Sequence, residues 1–181
     1  MARHIAFLRA INVGGHIVKM EALRAHFLEM GFANVRTFIQ SGNVIFDSPA
    51  KAAVLEKRVE KHLAAALGYE VDTFIRTLNE LRQVETEVQS KFATHLEAGS
   101  RVYVGFLRAL PSPEQQLRTI ELSNEIDQFS FGKRELYWLG HKGMGESTVT
   151  GPRLAKALGA STTTRNITSV RKLIAMCEKL V

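Results

Sequence analysis

The hydrophobic periodicity of the N-terminal part changes in a set order, and that order constrains the fold more than any other feature. From His4 to Ile11, the residues Ile5, Phe7, Arg9 and Ile11 alternate with Ala6, Leu8 and Ala10. Most of these positions are apolar, so the segment reads as a central strand covered on one face and nearly covered on the other. Asn12-Val13-Gly14-Gly15-His16 interrupts it, after which Met20, Leu23, Phe27 and Met30 recur at helical spacing. Gly31 follows as a residue suited to a left-handed helix end. Val35, Thr37 and Ile39, then Val44 and Phe46, form two alternating runs about Ser41-Gly42-Asn43 and predict a hairpin. Ser48-Pro49 offers an N-cap with proline at the first helical position, and Leu55, Val59, Leu63 and Ala66 continue one apolar face to Gly68. Val71, Thr73 and Ile75 alternate in a closing strand. The resulting βαββαβ order is that of a ferredoxin-like module.

The rest of the chain echoes this order. Leu78 to Val88 has helical spacing and completes a first segment over 1–88, the polar stretch 89–100 reads as a linker, and 101–181 forms a second, smaller half. In that half Val102, Val104 and Phe106 alternate, Pro113 opens a short helix, and Phe129 to Phe131 pairs with Leu136 to Leu139 across Gly132-Lys133-Arg134-Glu135. Two helices close a βαββα-like half, so the chain is expected to be α/β of the α+β type. The last helix carries Ile167, Val170, Leu173, Ile174 and Cys177 on one stripe, with Arg171, Lys172 and Lys179 outside it. Only the element order points to duplication of the two halves.

Composition excludes several classes. No window approaches the roughly 18 consecutive apolar residues of a membrane span, and Met1-Ala2-Arg3-His4 runs straight into a strand-like segment without an apolar signal region. The single cysteine, Cys177, lies in an apolar helical pattern and reads as a small buried hydrophobe in a reducing compartment. A cytoplasmic protein without membrane association is the expectation. The net charge of +6 is asymmetric: residues 129–181 hold 9 Lys/Arg against 3 acids, and residues 1–128 hold 15 of each. Such an excess favours anionic partners by steering, and equally describes a solvated face.

Three polar corners are not needed for any apolar pattern. In the first, Arg9-Ala10-Ile11-Asn12-Val13-Gly14-Gly15, a strand runs into a double-glycine turn ahead of a helix, a geometry that lets backbone amides approach an anion. It matches neither a P-loop nor G-x-G-x-x-G, and a turn needing positive φ accounts for it as well. The second, Gln40-Ser41-Gly42-Asn43, taken alone is a tight turn. The third, Ser161-Thr162-Thr163-Thr164-Arg165-Asn166-Ile167-Thr168, reads as the approach to the last helix, with Asn166 as its N-cap. Capping leaves Arg165 unexplained, so an oxyanion site and simple capping both stand. The candidate ligand-binding residues are Arg9, Asn12, Gly14, Gly15, Ser41, Gly42, Asn43, Thr164, Arg165 and Asn166.

These corners carry a family resemblance. The runs Arg9-x-Ile11-Asn12-Val13-Gly14-Gly15, Val35-Arg36-Thr37-Phe38-Ile39-Gln40-Ser41-Gly42-Asn43-Val44 and Thr163-Thr164-Arg165-Asn166-x-x-Ser169-Val170-x-Lys172-Leu173 resemble the hallmarks of the bacterial domain-of-unknown-function 1697 family. The resemblance spans nearly the whole chain and implies a ferredoxin-like fold, with no activity attached. In that family a Trp usually follows the Thr-Arg-Asn run, where this chain has Ile167.

No cofactor and no metal are expected, because the six histidines show neither H-x-x-x-H spacing nor a nearby cysteine or carboxylate set. Ser147 has no identifiable base and no G-x-S-x-G elbow. The aromatic-rich run of RNA-recognition modules is missing from Asn43 to Ser48. The leading reading is a non-enzymatic binder of nucleic acid or a phosphorylated small molecule. The alternatives are a structural or interaction protein, and a small-molecule enzyme in which Arg9, Asn12, Asn43 and Arg165 orient an anionic substrate.

Overall fold

Strand alternation sends Ala6 and Leu8 to one side of the first strand and Ile5 and Phe7 to the other, and none of the four is more than 1% exposed. Both faces are therefore covered, and the strand is central. The computed structural model describes residues 1–12, 15, 17–39, 42–142 and 144–179, with Met144 by its backbone alone. The elements are β1 (Ala2–Leu8), α1 (Met20–Glu29), β2 (Ala33–Phe38), β3 (Asn43–Ser48), α2 (Ala52–Leu67), β4 (Thr73–Thr77), α3 (Leu78–Glu97), β5 (Arg101–Phe106), α4 (Pro113–Ile120), β6 (Asp127–Phe131), β7 (Glu135–Gly140), α5 (Gly151–Leu158), β8 (Thr163–Asn166) and α6 (Ile167–Glu178). Two compact units result, Met1–Leu81 with Leu173–Val181, and Arg82–Lys172. Among the described residues no helix is long and apolar enough to cross a membrane.

In the first unit β2-β3-β1-β4 form one antiparallel sheet. Ala6, Leu8, Val44, Phe46 and Ile75 on one face pack with Leu23 and Phe27 of α1 and Leu55, Val59 and Leu63 of α2. A β-bulge between Ala33 and Arg36 accompanies Asn34 at φ +52°, and the Asn34 amide donates to Asp47 at 2.8 Å. Arg3 grips the same carboxylate with two donors, at 3.0 and 3.2 Å, and gives a third to the Cys177 carbonyl at 2.7 Å. Burial would raise the Asp47 carboxyl, but the hydrogen bonds from Arg3 and Asn34 outweigh it and hold its pKa below the usual value. The Arg3 guanidinium thereby ties the N-terminal strand to β3 by an ion pair and to α6 by a hydrogen bond.

β4 is an edge strand, and its outward N–H groups would otherwise be open to another strand. Glu60 Oε1 accepts from Thr73 N–H at 2.8 Å, Glu56 Oε1 from Ile75 N–H at 2.8 Å, and Glu80 Oε2 from Thr77 N–H at 2.7 Å. Glu56 and Glu60 are one helical turn apart on α2, and the alternate N–H groups of a strand lie about as far apart as that turn, so the helix seals the edge while packing on the sheet.

The second unit holds the sheet β6-β7-β5-β8, with Tyr103, Phe129, Leu136, Trp138, Leu154 and Leu158 in its core. Pro113 opens α4 as expected, behind a capping box in which Ser112 and Gln115 exchange hydrogen bonds. Three local expectations need correction. The residue before α2 is Lys51 rather than Ser48, whose hydroxyl accepts from Ala50 N–H at 3.3 Å in the turn after β3. The polar stretch from 89 is helical as far as Glu97, because its half-buried positions continue the spacing of α3. Thr163–Asn166, read as the approach to the last helix and assigned no strand, is the strand β8, paired antiparallel with β5.

Two outcomes follow for stability. Glu56→Ala leaves the Ile75 N–H without its carboxylate and should lower the unfolding free energy by about 1–3 kcal/mol in urea titrations. His4 is 2% exposed and stacked on Phe46. Its burial lowers its pKa below 6.5, against the opposing pull of Glu80 and Asp47. The unfolded chain therefore takes up this proton first, so its contribution to stability is complete above about pH 6.5 and declines as the pH falls through that value. The urea midpoint should fall over that window, and His4→Phe should flatten the fall.

Candidate functional site

The first two corners are one place. At the last residue of β1, the Leu8 N–H donates to the Gly42 carbonyl at 2.9 Å, so the β2–β3 turn rests on the strand end. A Cβ on Gly42 would stand 2.5 Å from Ile11 Cγ2 and 3.2 Å from Leu8 Cβ, and Gly42 has φ +74°. Only glycine meets both conditions without strain. Ile11 is 2% exposed, and its carbonyl accepts from the Tyr69 hydroxyl at 3.3 Å. Asn12 Oδ1 accepts from Val18 N–H at 2.6 Å and closes the following loop. Asn43 is fully buried and donates to the Phe38 carbonyl at 3.1 Å, closing the turn from the other side. Both asparagine side chains thus have structural work.

What faces water here is different. Ala10 has φ +58° and Ile39 φ +49°, both unusual for residues with a Cβ, and both are exposed. Next to Ala10 in the chain is Arg9, whose guanidinium lies 3.3 Å from an Asp72 carboxylate oxygen and whose side chain is 47% exposed. Gly15, at φ +89°, has open space around its Cα. Gly14 and Ser41 lie outside the described residues.

The third corner belongs to the second unit. Arg165, in β8, is 8% exposed and donates through Nη1 to Thr163 Oγ1 at 2.8 Å and to the Thr164 carbonyl at 2.9 Å. Burial pulls its pKa down to about 10, which still leaves it charged at neutral pH. Thr164 is half-buried. Asn166 Oδ1 accepts from Thr168 N–H at 2.8 Å in the manner of an N-cap, and Ile167 is 2% exposed, packed rather than presented. The guanidinium is therefore taken up inside the unit.

Other chemistry-bearing groups lie outside the three corners. A cleft of about 300 Å³ in the first unit is lined by Glu60, Lys61, Ala64, Glu70, Val71 and Asp72. Its three carboxylates suit a cation better than a phosphate. Ser147 donates to Asp127 Oδ2 at 2.7 Å, Trp138 Nε1 donates to Oδ1 at 2.7 Å, and Asp127 is 1% exposed. Ser147 Oγ also accepts from Val149 N–H at 3.0 Å, so this hydroxyl is engaged as donor and acceptor. His26 and Glu29 of α1 meet His62 of α2, with ligand atoms all within 4.8 Å of one another. The H-x-x-E pair on α1 is visible in the sequence, but its partner is brought in only by helix packing.

The architecture defines a two-unit α+β protein, each unit a four-stranded antiparallel sheet with helices. The chain belongs to the family described as protein of unknown function (DUF1697), whose model matches residues 1–137. That span holds the Arg9 and Gly42 segments and ends before β8. Among solved structures, the conserved bacterial protein SP0830 from Streptococcus pneumoniae is similar over 98% of this chain and 99% of its own, at 24% identity and a TM-score of 0.72. Comparison with curated proteins gives no match.

The close approach at Gly42 makes a specific prediction. Gly42→Ala should lower the unfolding free energy by about 1–3 kcal/mol, through a strained φ and displacement of Ile11. Gly15→Ala carries only the φ penalty and should lose less in the same urea titration.

Proposed function

We propose that the chain is a non-enzymatic binding protein that takes a phosphate-bearing ligand at the corner built from the end of β1 and the β2–β3 turn. The observation that carries this reading is the pair of strained, exposed residues Ala10 and Ile39, held in place by buried neighbours and flanked by the half-exposed cation Arg9. Backbone strain of this kind costs about 1–3 kcal/mol per residue and tends to persist where a binding surface requires it. The βαββαβ order and the strand order support calling the first unit ferredoxin-like, and the buried Cys177 supports a cytoplasmic setting.

Phe7, Ile45 and Phe74 are fully buried, so these strands offer no open sheet face on which bases would stack. A ligand at the corner is met at its phosphate by the Arg9 guanidinium, which favours a small phosphorylated molecule over a sequence-read nucleic acid. Arg165 drops out of the ligand-facing set because it is 8% exposed and its Nη1 donates to Thr163 and Thr164 inside the unit. A structural role is the second reading, supported by the internal hydrogen bonds of Asn12, Asn43 and Asn166.

Pyrophosphate and a labelled oligo-deoxythymidine, titrated at rising salt, test the proposal. Arg9→Ala should weaken pyrophosphate binding about tenfold, the scale of one charge-assisted hydrogen bond. Asp72→Asn releases Arg9 from its carboxylate and should strengthen it. Arg165→Ala should lower stability without changing affinity. Equal affinity in wild type and Arg9→Ala, or no binding of either probe, would leave the structural reading standing.

A further inference from the structure

We propose that His26, Glu29 and His62 form a site for a divalent transition-metal ion of the zinc, cobalt and nickel type, independent of the anion-binding corner. His26 and Glu29 are three residues apart at the C-terminal end of α1, so their side chains leave the same side of that helix. His62 reaches them from α2. His26 Nδ1 lies 3.3 Å from Glu29 Oε2, and His62 Nε2 lies 3.4 Å from the same oxygen.

Those lengths are informative. Donors bound about 2.0–2.1 Å from a tetrahedral ion stand about 3.3–3.4 Å from one another. Two edges of the ligand triangle are therefore already at the required length, and the donor atoms all lie within 4.8 Å, so a small side-chain rotation closes the third. His62 Nε2 is shielded from solvent and makes no hydrogen bond, which leaves its lone pair available to an ion. The C-terminal end of α1 adds the negative pole of its helix dipole, and Glu29 adds a full negative charge. Side-chain exposures of 21% for His26, 59% for Glu29 and 30% for His62 place the cluster at the protein surface, with Glu29 the most accessible of the three. Two imidazoles and one carboxylate suit zinc-like ions. They lack the thiolates that select softer metals and the oxygen cage that calcium and magnesium need.

A carboxylate shared by two histidines also forms without a metal, and titration separates the two cases. Calorimetric titration of Zn²⁺ into the chelator-treated full chain should give one ion per chain, and Co²⁺ should develop the visible absorption of a low-coordinate site. His62→Ala and Glu29→Gln should each weaken binding by at least about tenfold, the lower end of what losing even an outer-shell partner causes. His26→Ala should do the same. Circular dichroism reports folding of each variant, and His62→Gln replaces His62→Ala if the latter fails to fold. A second imidazole pair, His95 and His141 with ring centres 5.7 Å apart, supplies the control. The double variant H95A/H141A should leave Zn²⁺ binding unchanged, as should Arg9→Ala. Absence of Zn²⁺ binding, binding untouched by both His62→Ala and Glu29→Gln, or binding lost only in H95A/H141A would overturn the assignment.

Discussion

The missing side chain of Gly42 sets the geometry on which the candidate corner depends. Because the β2–β3 turn descends to contact Ile11 and Leu8, the end of β1 is anchored at two points, by the Leu8 hydrogen bond and by van der Waals contact. The segments on either side then absorb the bend, Ala10 before Ile11 and Ile39 before the turn, each in the left-handed region. Local strain is tolerated where surrounding packing over-determines it, and here Ile11 and Asn43 are both buried. Sequence, turn, packing and exposure thus form one chain of cause ending at the Arg9 guanidinium. Strain alone does not name a ligand, but it shows where the backbone has been held against its preference.

The two units share more than an order of elements. In each sheet the fourth strand of the unit pairs with the first, and in each it carries a buried arginine two residues before a helix: Arg76 before α3 and Arg165 before α6. Arg76 faces Ile5 in register and Arg165 faces Val104. Each sends Nη1 to the carbonyl of the residue before it, at 3.0 Å for Arg76 and 2.9 Å for Arg165. The residue between arginine and helix caps the helix in both, Thr77 Oγ1 accepting from Glu80 N–H and Asn166 Oδ1 from Thr168 N–H. The Thr-Arg-Asn run is therefore the second instance of a strand-to-helix junction. That gives Arg165 a structural account which sequence reading lacked, since the shared residues amount to one arginine and one capping side chain.

Legibility followed hydrophobic period. β1, the β2–β3 hairpin and α2 announced themselves through apolar alternation or helical stripes, and the βαββαβ order followed from them. β8 did not, because Thr163-Thr164-Arg165-Asn166 has no apolar residue to alternate, and its strand character comes from pairing with β5. The length of α3 was hidden by its polarity beyond Val88. Side-chain roles were the least legible. Asn12 and Asn43 look alike in sequence to ligand-facing amides, and only their distances to Val18 N–H and the Phe38 carbonyl show them closing loops. The His26, Glu29 and His62 set was only half legible, as the His26 and Glu29 pair stands on α1 while His62 joins it from α2 through helix packing.

Charge is what leads the proposal to prefer a small phosphorylated ligand over nucleic acid. The C-terminal excess of +6 would make a nucleic-acid surface if its cations were unpaired and together. Arg165 is buried, Arg171 stands 3.3 Å from Glu85, and Lys142 stands 3.6 Å from Glu146. Each exposed pair is weak in energy, yet each lowers the local potential that would otherwise draw a polyanion. Affinity for a nucleic-acid backbone grows with the number of phosphates neutralised, so each cation that is buried or paired erodes it. A single phosphate group asks for much less: one guanidinium and a few amides pointing the same way. In the proposal Arg9 supplies that guanidinium, trading its 3.3 Å contact with Asp72, itself 33% exposed, for the phosphate.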